Sequence, residues 1–284
     1  MLKKITNFLL TEIIYNGHLQ ALGAVGIVYV STVIAFGKNP SFISLFIIYL
    51  VFQFIYFFDR FRDIRKDKLT NKERSAHIEK YLKKIPFIMG IILFLVITLT
   101  LSVSNVYSLV SEITVMFLGA MYPIYFKGLT KKIPMFKNFY VGSVHALLVF
   151  FPIVFYNITP IKTLFLFILF LYVLSEAIIF QIALDMKDIE GDKKDKLLTL
   201  PVLIGFKSSL NTINILNIAS FIMFLAVQFI FKLNPILYLL IFSNLVINFQ
   251  ISNLIRNKKK SGYILSASKF FLWLCLSVVA NIIV

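Results

Sequence analysis

The sequence predicts an all-α integral membrane protein of nine spanning helices, and three observations carry that prediction. The chain is 59% hydrophobic and 15% charged with a mean hydropathy of +0.88, whereas a soluble domain is about 25% charged. Apolar runs long enough to cross a hydrocarbon core of ~30 Å, about 20 residues each, recur at residues 18–36, 42–58, 85–104, 107–126, 139–156, 160–184, 208–231, 235–254 and 262–284. The positive charges alternate in side from one connection to the next, as the positive-inside rule requires.

The opening stretch "MLKKITNFLLTEII" has two lysines and a short apolar segment like a signal peptide. It has no small-residue cleavage site and runs into a full span, so it is expected to be retained. With the N-terminus cytosolic, 25 of the 29 Lys and Arg fall on the inside, three (Lys38, Lys162 and Lys232) outside, and Lys269 within the last span. The formal net charge of +16 is mostly this bias. It suits an anionic leaflet or anionic ligands at the cytosolic face and gives no reason to invoke nucleic acid. The single cysteine, Cys275, excludes a disulfide framework and is expected to be a packed thiol.

The 13 acidic residues are concentrated. Five lie in loop 2–3 (Asp59, Asp63, Asp67, Glu73, Glu79) and five in loop 6–7 (Asp185, Asp188, Glu190, Asp192, Asp195), both cytosolic in this topology. Asp63 and Asp188 are 125 residues apart, as are Asp67 and Asp192, which hints at two related halves, about 1–137 and 138–284, within one membrane domain. On a helix, Asp59, Asp63 and Asp67 stack on one face, ~6 Å apart. Arg60, Arg62 and Lys66 could make this an ordinary salt-bridged helix end. The second cluster shifts the balance, because Asp185, Asp188 and Asp192 at i, i+3, i+7 also share a helical face, with Gly191 tolerated at about 1 kcal/mol.

Two carboxylate faces at one membrane surface suit Mg²⁺, which takes oxygen ligands from one or two carboxylates, waters and substrate phosphates. The natural ligand is a diphosphate bridged between them. Arg60, Arg62, Arg65, Lys127, Lys131, Lys132, Lys187 and Lys193 lie on the same side and would meet its charge.

At these residues the chain resembles the UbiA-type membrane prenyltransferases, whose signatures read roughly N-D-x-x-D-x-x-x-D and D-x-x-D-x-x-G-D followed by T-L-P-V-x-x-G. The second stands nearly complete as "DMKDIEGDKKDKLLTLPVLIG", Asp185 to Gly205. The first is "DRFRDIRKD", where Asp59 and Arg60 occupy the places of the usual Asn and Asp. "MYPIYFKGLTKKIPMFKN" looks like the family's Tyr-Pro and Lys-bearing loop between spans 4 and 5.

The resemblance implies a central cavity open to the cytosol, capped by loops 2–3 and 6–7, where Mg²⁺ ions hold an isoprenyl diphosphate. Asp63 and Asp67 would carry one Mg²⁺, Asp188 and Asp192 the other, with Asp59 and Asp185 in or beside the coordination. Arg60 and Lys127 would contact the diphosphate and, with Asp63 and Asp188, form the catalytic set; Lys187 is a further candidate for substrate binding. The activity implied is transfer of a polyprenyl group to a lipophilic acceptor such as a quinone precursor, a porphyrin-type ring or a lipid precursor. A terpene cyclase on the same fold is the nearby alternative. A cation transporter is disfavoured, since ten of the 13 acids sit in two loops rather than along a midplane path.

Other residues divide by position. Asn16, with Glu12 and His18 near the cytosolic end of span 1, either lines the acceptor cavity or sits at the interface. Glu112 is expected to be solvated at the outer end of span 4. Glu176 lies within span 6, where a carboxylate is costly and defaults to function, and is expected to face the cavity. His145 in span 5 either orients an acceptor or is a hydrogen-bonded core histidine. "TNKER" at Thr70–Arg74 is expected to belong to the cap.

Overall fold

The computed structural model describes residues 10–231 and 236–283, apart from the side chains of 65–67, 69, 70, 228, 236, 282 and 283. Among the described residues there are nine helices long and apolar enough to cross a membrane, as the sequence predicts. The elements that position the site are α1 (His18–Phe36), α2 (Phe42–Thr70), α3 (Lys72–Glu79), α4 (Ile85–Val103), α5 (Val106–Met121), α6 (Phe136–Leu147), α7 (Phe151–Tyr156), α8 (Thr163–Asp185), α9 (Ile189–Lys194), α10 (Leu200–Phe231), α11 (Ile236–Arg256) and α12 (Lys260–Ile283).

The first span is the hub. It is apolar on every side and 83% of its apolar window is buried, the pattern of a helix surrounded by protein rather than lipid. It packs on α2 and, most extensively, on α12, which closes the bundle. Small residues allow the closeness, because lipid offers no hydrophobic drive between helices and packing must supply the association. A Cβ added at Gly26 would stand 2.0 Å from the Phe270 carbonyl oxygen of α12, so the two backbones meet where only glycine fits. The remaining helices pack in sequence, α2 on α4 and α5, α6 on α8, α8 on α10, and α10 on α11.

Two local departures shape the site. The α5 helix continues through a π-helical turn, Tyr122–Phe126, that holds Pro123; a proline frees backbone groups and redirects the helix there. The seventh span begins at Leu200, earlier than the sequence predicts, and bends at Gly205. That glycine has φ +81° with open space around it, so conformation rather than room requires it.

Three expectations are corrected here. Asp185, Asp188 and Asp192 do not share one helix: α8 ends at Asp185, and Asp188 is the N-cap of the separate helix α9. Glu112 is buried, not solvated, and its carboxylate accepts from Thr100 Oγ1 at 2.5 Å, because the end of α4 and the start of α5 close together around it. Cys275 is exposed on the outer surface of α12 rather than packed, as its register places it opposite the inward-facing Trp273.

The candidate active site

A cavity of about 800 Å³ opens between α2, the end of α5, α6 and α8, under α3 and α9. The first acidic wall is α2, which runs unbroken past the apolar segment and presents Asp59 and Asp63 to the cavity. The side chain of Asp67 lies outside the described residues. The second wall is the α8–α9 turn, with Asp185, Asp188 and Asp192.

Two lysines, Lys127 in the 4–5 connection and Lys137 on the first turn of α6, stand between the walls. Lys127 Nζ donates to Asp63 Oδ2 at 2.7 Å, and Lys137 Nζ to Asp185 Oδ1 at 2.5 Å. Backbone bonds from Met135 N to Leu198 O (2.8 Å) and Leu198 N to Thr130 O (2.9 Å) tie this connection to the segment after α9. Asn138 completes the tie: its Nδ2 donates to Asp185 Oδ2 at 2.9 Å while its Oδ1 accepts from Leu200 N at 3.3 Å. Gln181 Nε2 donates to Asp185 Oδ1 at 3.0 Å, so Asp185 is a buried carboxylate with three donors. Such a group is an anchor, since both oxygens are committed to holding neighbours.

Arg60 is braced in the cavity wall, Nη1 to Asp59 Oδ2 at 2.6 Å and Nε to the Tyr15 carbonyl oxygen at 3.2 Å. Lys187 Nζ donates to Asn71 Oδ1 at 2.5 Å, joining the connection after α8 to that before α3. Asp192 accepts from Thr199 Oγ1 at 3.1 Å, and burial, partly offset by Lys137, pushes its carboxyl up to about 6.

Of the sequence-predicted residues, Asp59, Arg60, Asp63, Lys127, Asp185, Lys187, Asp188 and Asp192 all line this one cavity. Two candidates are not brought to it. Asn16 is fully buried, hydrogen-bonded to Glu12 and Tyr81, with its carbonyl oxygen accepting from Gln53. It serves a cluster in which His77 Nε2 meets Glu12 Oε2 at 2.6 Å. Burial raises the Glu12 carboxyl, but hydrogen bonds from His18, His77 and Asn16 outweigh it and hold the group at about 2.

Glu176 turns instead toward α10, α11 and α12. It is fully buried and paired with Lys269 at 2.9 Å, and it accepts from Ser220 (2.7 Å) and Asn248 (2.8 Å). Sequence reasoning passed over its partner because a single lysine in a last span has no local signature. It also passed over Lys137 and Asn138, although both stand in the quoted loop motif. Their contact with Asp185 spans 48 and 47 residues and has no periodic trace.

Among the described residues, no three His, Cys, Asp or Glu side chains gather closely enough to hold a metal ion by themselves. The donors are spread over two facing walls, Asp59 and Asp63 on one and Asp188 and Asp192 on the other, with Asp185 beside them committed to its own donors. That suits Mg²⁺ completed by phosphate oxygens and water, and would not suit a metal needing an all-protein cage.

No curated protein sequence matches the chain. In fold it is similar to a UbiA homologue from Aeropyrum pernix K1 (TM-score 0.73, 13% identity, covering 92% of this chain and 98% of that one). It is also similar to a UbiA homologue from Archaeoglobus fulgidus bound to DMAPP and Mg²⁺ (TM-score 0.66, 14% identity, 96% and 99%). A third similar structure is a digeranylgeranylglyceryl phosphate synthase (TM-score 0.57, 21% identity, 99% and 98%). The UbiA prenyltransferase family model matches residues 24–275. With nine apolar spans and that match over most of its length, the chain is an integral, multi-pass membrane protein of the UbiA prenyltransferase family.

Proposed function

We propose that this protein transfers a polyprenyl group from an isoprenyl diphosphate to a lipophilic acceptor, in a Mg²⁺-dependent reaction at the cytosolic face of the membrane. The observation that carries this reading is the pair of carboxylate walls facing each other across a cavity that also presents Arg60, Lys127 and Lys137. The A. fulgidus relative, bound to DMAPP and Mg²⁺, supports the donor and metal class. The concentration of Lys and Arg on the connections flanking the cavity supports the orientation.

Asp63, with Asp59 beside it and Asp67 on the next turn, would hold metal at one wall, and Asp188 with Asp192 at the other. Mg²⁺ bound there supplies charge neutralisation for the leaving diphosphate. Asp185 positions Lys137 and leaves metal binding to its neighbours. Lys127, released from Asp63 when the diphosphate arrives, acts with Lys137 and Arg60 to stabilise negative charge growing on the bridging oxygen. Below them Phe52, Tyr56, Tyr122, Tyr140 and Phe180 line the cavity, offering ring faces to an allylic cation and excluding water.

The test is incubation of purified protein with Mg²⁺, prenyl diphosphates of several chain lengths and a panel of lipophilic acceptors, reading diphosphate release and product mass. Prenylated acceptor formed only with Mg²⁺, and lost in Asp63→Ala and Asp188→Ala, is the expected result. A cyclised hydrocarbon with no acceptor incorporated would replace transfer with terpene cyclisation. Full activity in both variants, or without metal, overturns the mechanism.

A further inference from the structure

We propose that His145 and Gln20 form the acceptor subsite of the cavity and select an acceptor bearing a hydroxyl group, whose proton His145 receives as the prenyl bond forms. This rests on the prenyl-transfer reading above. His145 lines the cavity, 4% exposed, and its Nδ1 lies 2.8 Å from the Val141 carbonyl oxygen. A carbonyl can only accept, so Nδ1 carries the proton, and the neutral ring presents a lone pair at Nε2. Among the described residues no hydrogen-bond partner meets that nitrogen.

The ring is held in place on three sides, with centroids of Phe52, Phe180 and Phe270 at 5.5, 5.9 and 6.3 Å. It folds back over the preceding turn toward Val141 and stands deeper in the cavity than Lys137, which lies two turns earlier on α6.

Gln20 supplies the second half. It also lines the cavity, and its Oε1 is buried without a hydrogen-bond partner. One turn along α1, Gly23 lies against Phe270, the ring stacked on His145, so both groups border the same corner.

Two hydrogen-bond acceptors wait there without a donor. Gln20 Oε1 is buried with its hydrogen-bonding capacity unmet, which destabilises the empty site, and neither a diphosphate nor a hydrocarbon chain can donate. The missing donor belongs to the second substrate. In the step, a lone pair of the acceptor hydroxyl oxygen forms the bond to the first prenyl carbon. The carbon–oxygen bond to diphosphate breaks with its electron pair leaving on the diphosphate. The hydroxyl proton passes to His145 Nε2, and from there to the departing diphosphate.

The test pairs geranyl diphosphate and Mg²⁺ with a panel of lipophilic alcohols and phenols (1-naphthol, a long-chain alcohol, a monoacylglycerol) and their O-methyl ethers. The expected results are ether products from the hydroxyl members alone, and transfer lowered at least about 100-fold in His145→Phe, the scale of general base catalysis. Binding of geranyl diphosphate with Mg²⁺, measured by calorimetry, should stay within about threefold, and Gln20→Leu should raise KM for the acceptor more than it lowers kcat. Nitrogen-15 histidine spectra in a His18→Gln, His77→Gln background should show Nδ1 protonated and Nε2 bare. Equal transfer to the methyl ethers, no hydroxyl member prenylated, undiminished transfer in His145→Phe, or protonated Nε2 overturns the proposal. If geranyl diphosphate fails to bind the unaltered protein with Mg²⁺, the prenyl-transfer reading itself falls.

Discussion

Lys127 Nζ rests 2.7 Å from Asp63 Oδ2, joining the end of α5 to the acidic face of α2 across the mouth of the cavity. The ammonium occupies one oxygen of a carboxylate that the mechanism assigns to metal. Metal and lysine therefore compete for Asp63 until a diphosphate arrives to take the lysine.

Removing that competitor should separate the two effects. Lys127→Met is expected to tighten Mg²⁺ binding in the absence of substrate by about tenfold, the equivalent of ~1.4 kcal/mol. It should weaken the Mg²⁺–geranyl diphosphate complex by a similar factor or more, both read by calorimetry. Unchanged Mg²⁺ affinity in Lys127→Met would mean the pair does not gate the metal.

The raised Asp192 carboxyl makes metal binding pH-dependent. Its pKa is about 6 in the folded protein against an ordinary value of 3.8, so the fold favours the protonated form. Its contribution to stability is greatest below 3.8 and falls as pH rises toward 6. Metal must displace that proton, so Mg²⁺ affinity should climb between about pH 5 and 7 and then level. Asp192→Asn should be weaker and flat across the same range in a Mg²⁺ titration.

Glu176 and Lys269 form an ion pair with neither side chain exposed, held among Ser220, Asn248 and the Glu176 carbonyl oxygen. Losing one partner strands a buried charge, at about 3–5 kcal/mol. Lys269→Met should therefore lower the unfolding temperature in detergent steeply. Adding Glu176→Gln should recover most of it, because the remaining neutral polar network can satisfy itself. A double variant as unstable as the sum of the singles would disprove the pairing.

The α1–α12 seam should tolerate nothing larger than glycine at its closest point. Gly26→Ala places a methyl group against the Phe270 backbone, which cannot rotate away. The helices must part, costing ~1–3 kcal/mol. Gly128→Ala, where nothing lies within 4 Å, is the matched control and should cost no more than a few tenths in thermal stability.

The sequence by itself determined the membrane class, the nine spans and the two carboxylate clusters, because these follow from local quantities. Hydrocarbon thickness sets run length, helical pitch sets the Asp59–Asp63–Asp67 face, and the second motif is contiguous from Asp185 to Gly205. Only the tertiary structure decided which charges meet. It pairs Asp185 with Lys137 and Asn138, takes Glu176 from the cavity to Lys269, and withdraws Asn16 into a cluster with Glu12 and Tyr81. It also breaks the second acidic face between α8 and α9. The reason is common to all four. A buried polar group goes to whichever complementary partner the packing brings within ~3 Å, and the rotation of one helix against another, fixed by contacts such as Gly26 on Phe270, leaves no periodic mark in the chain.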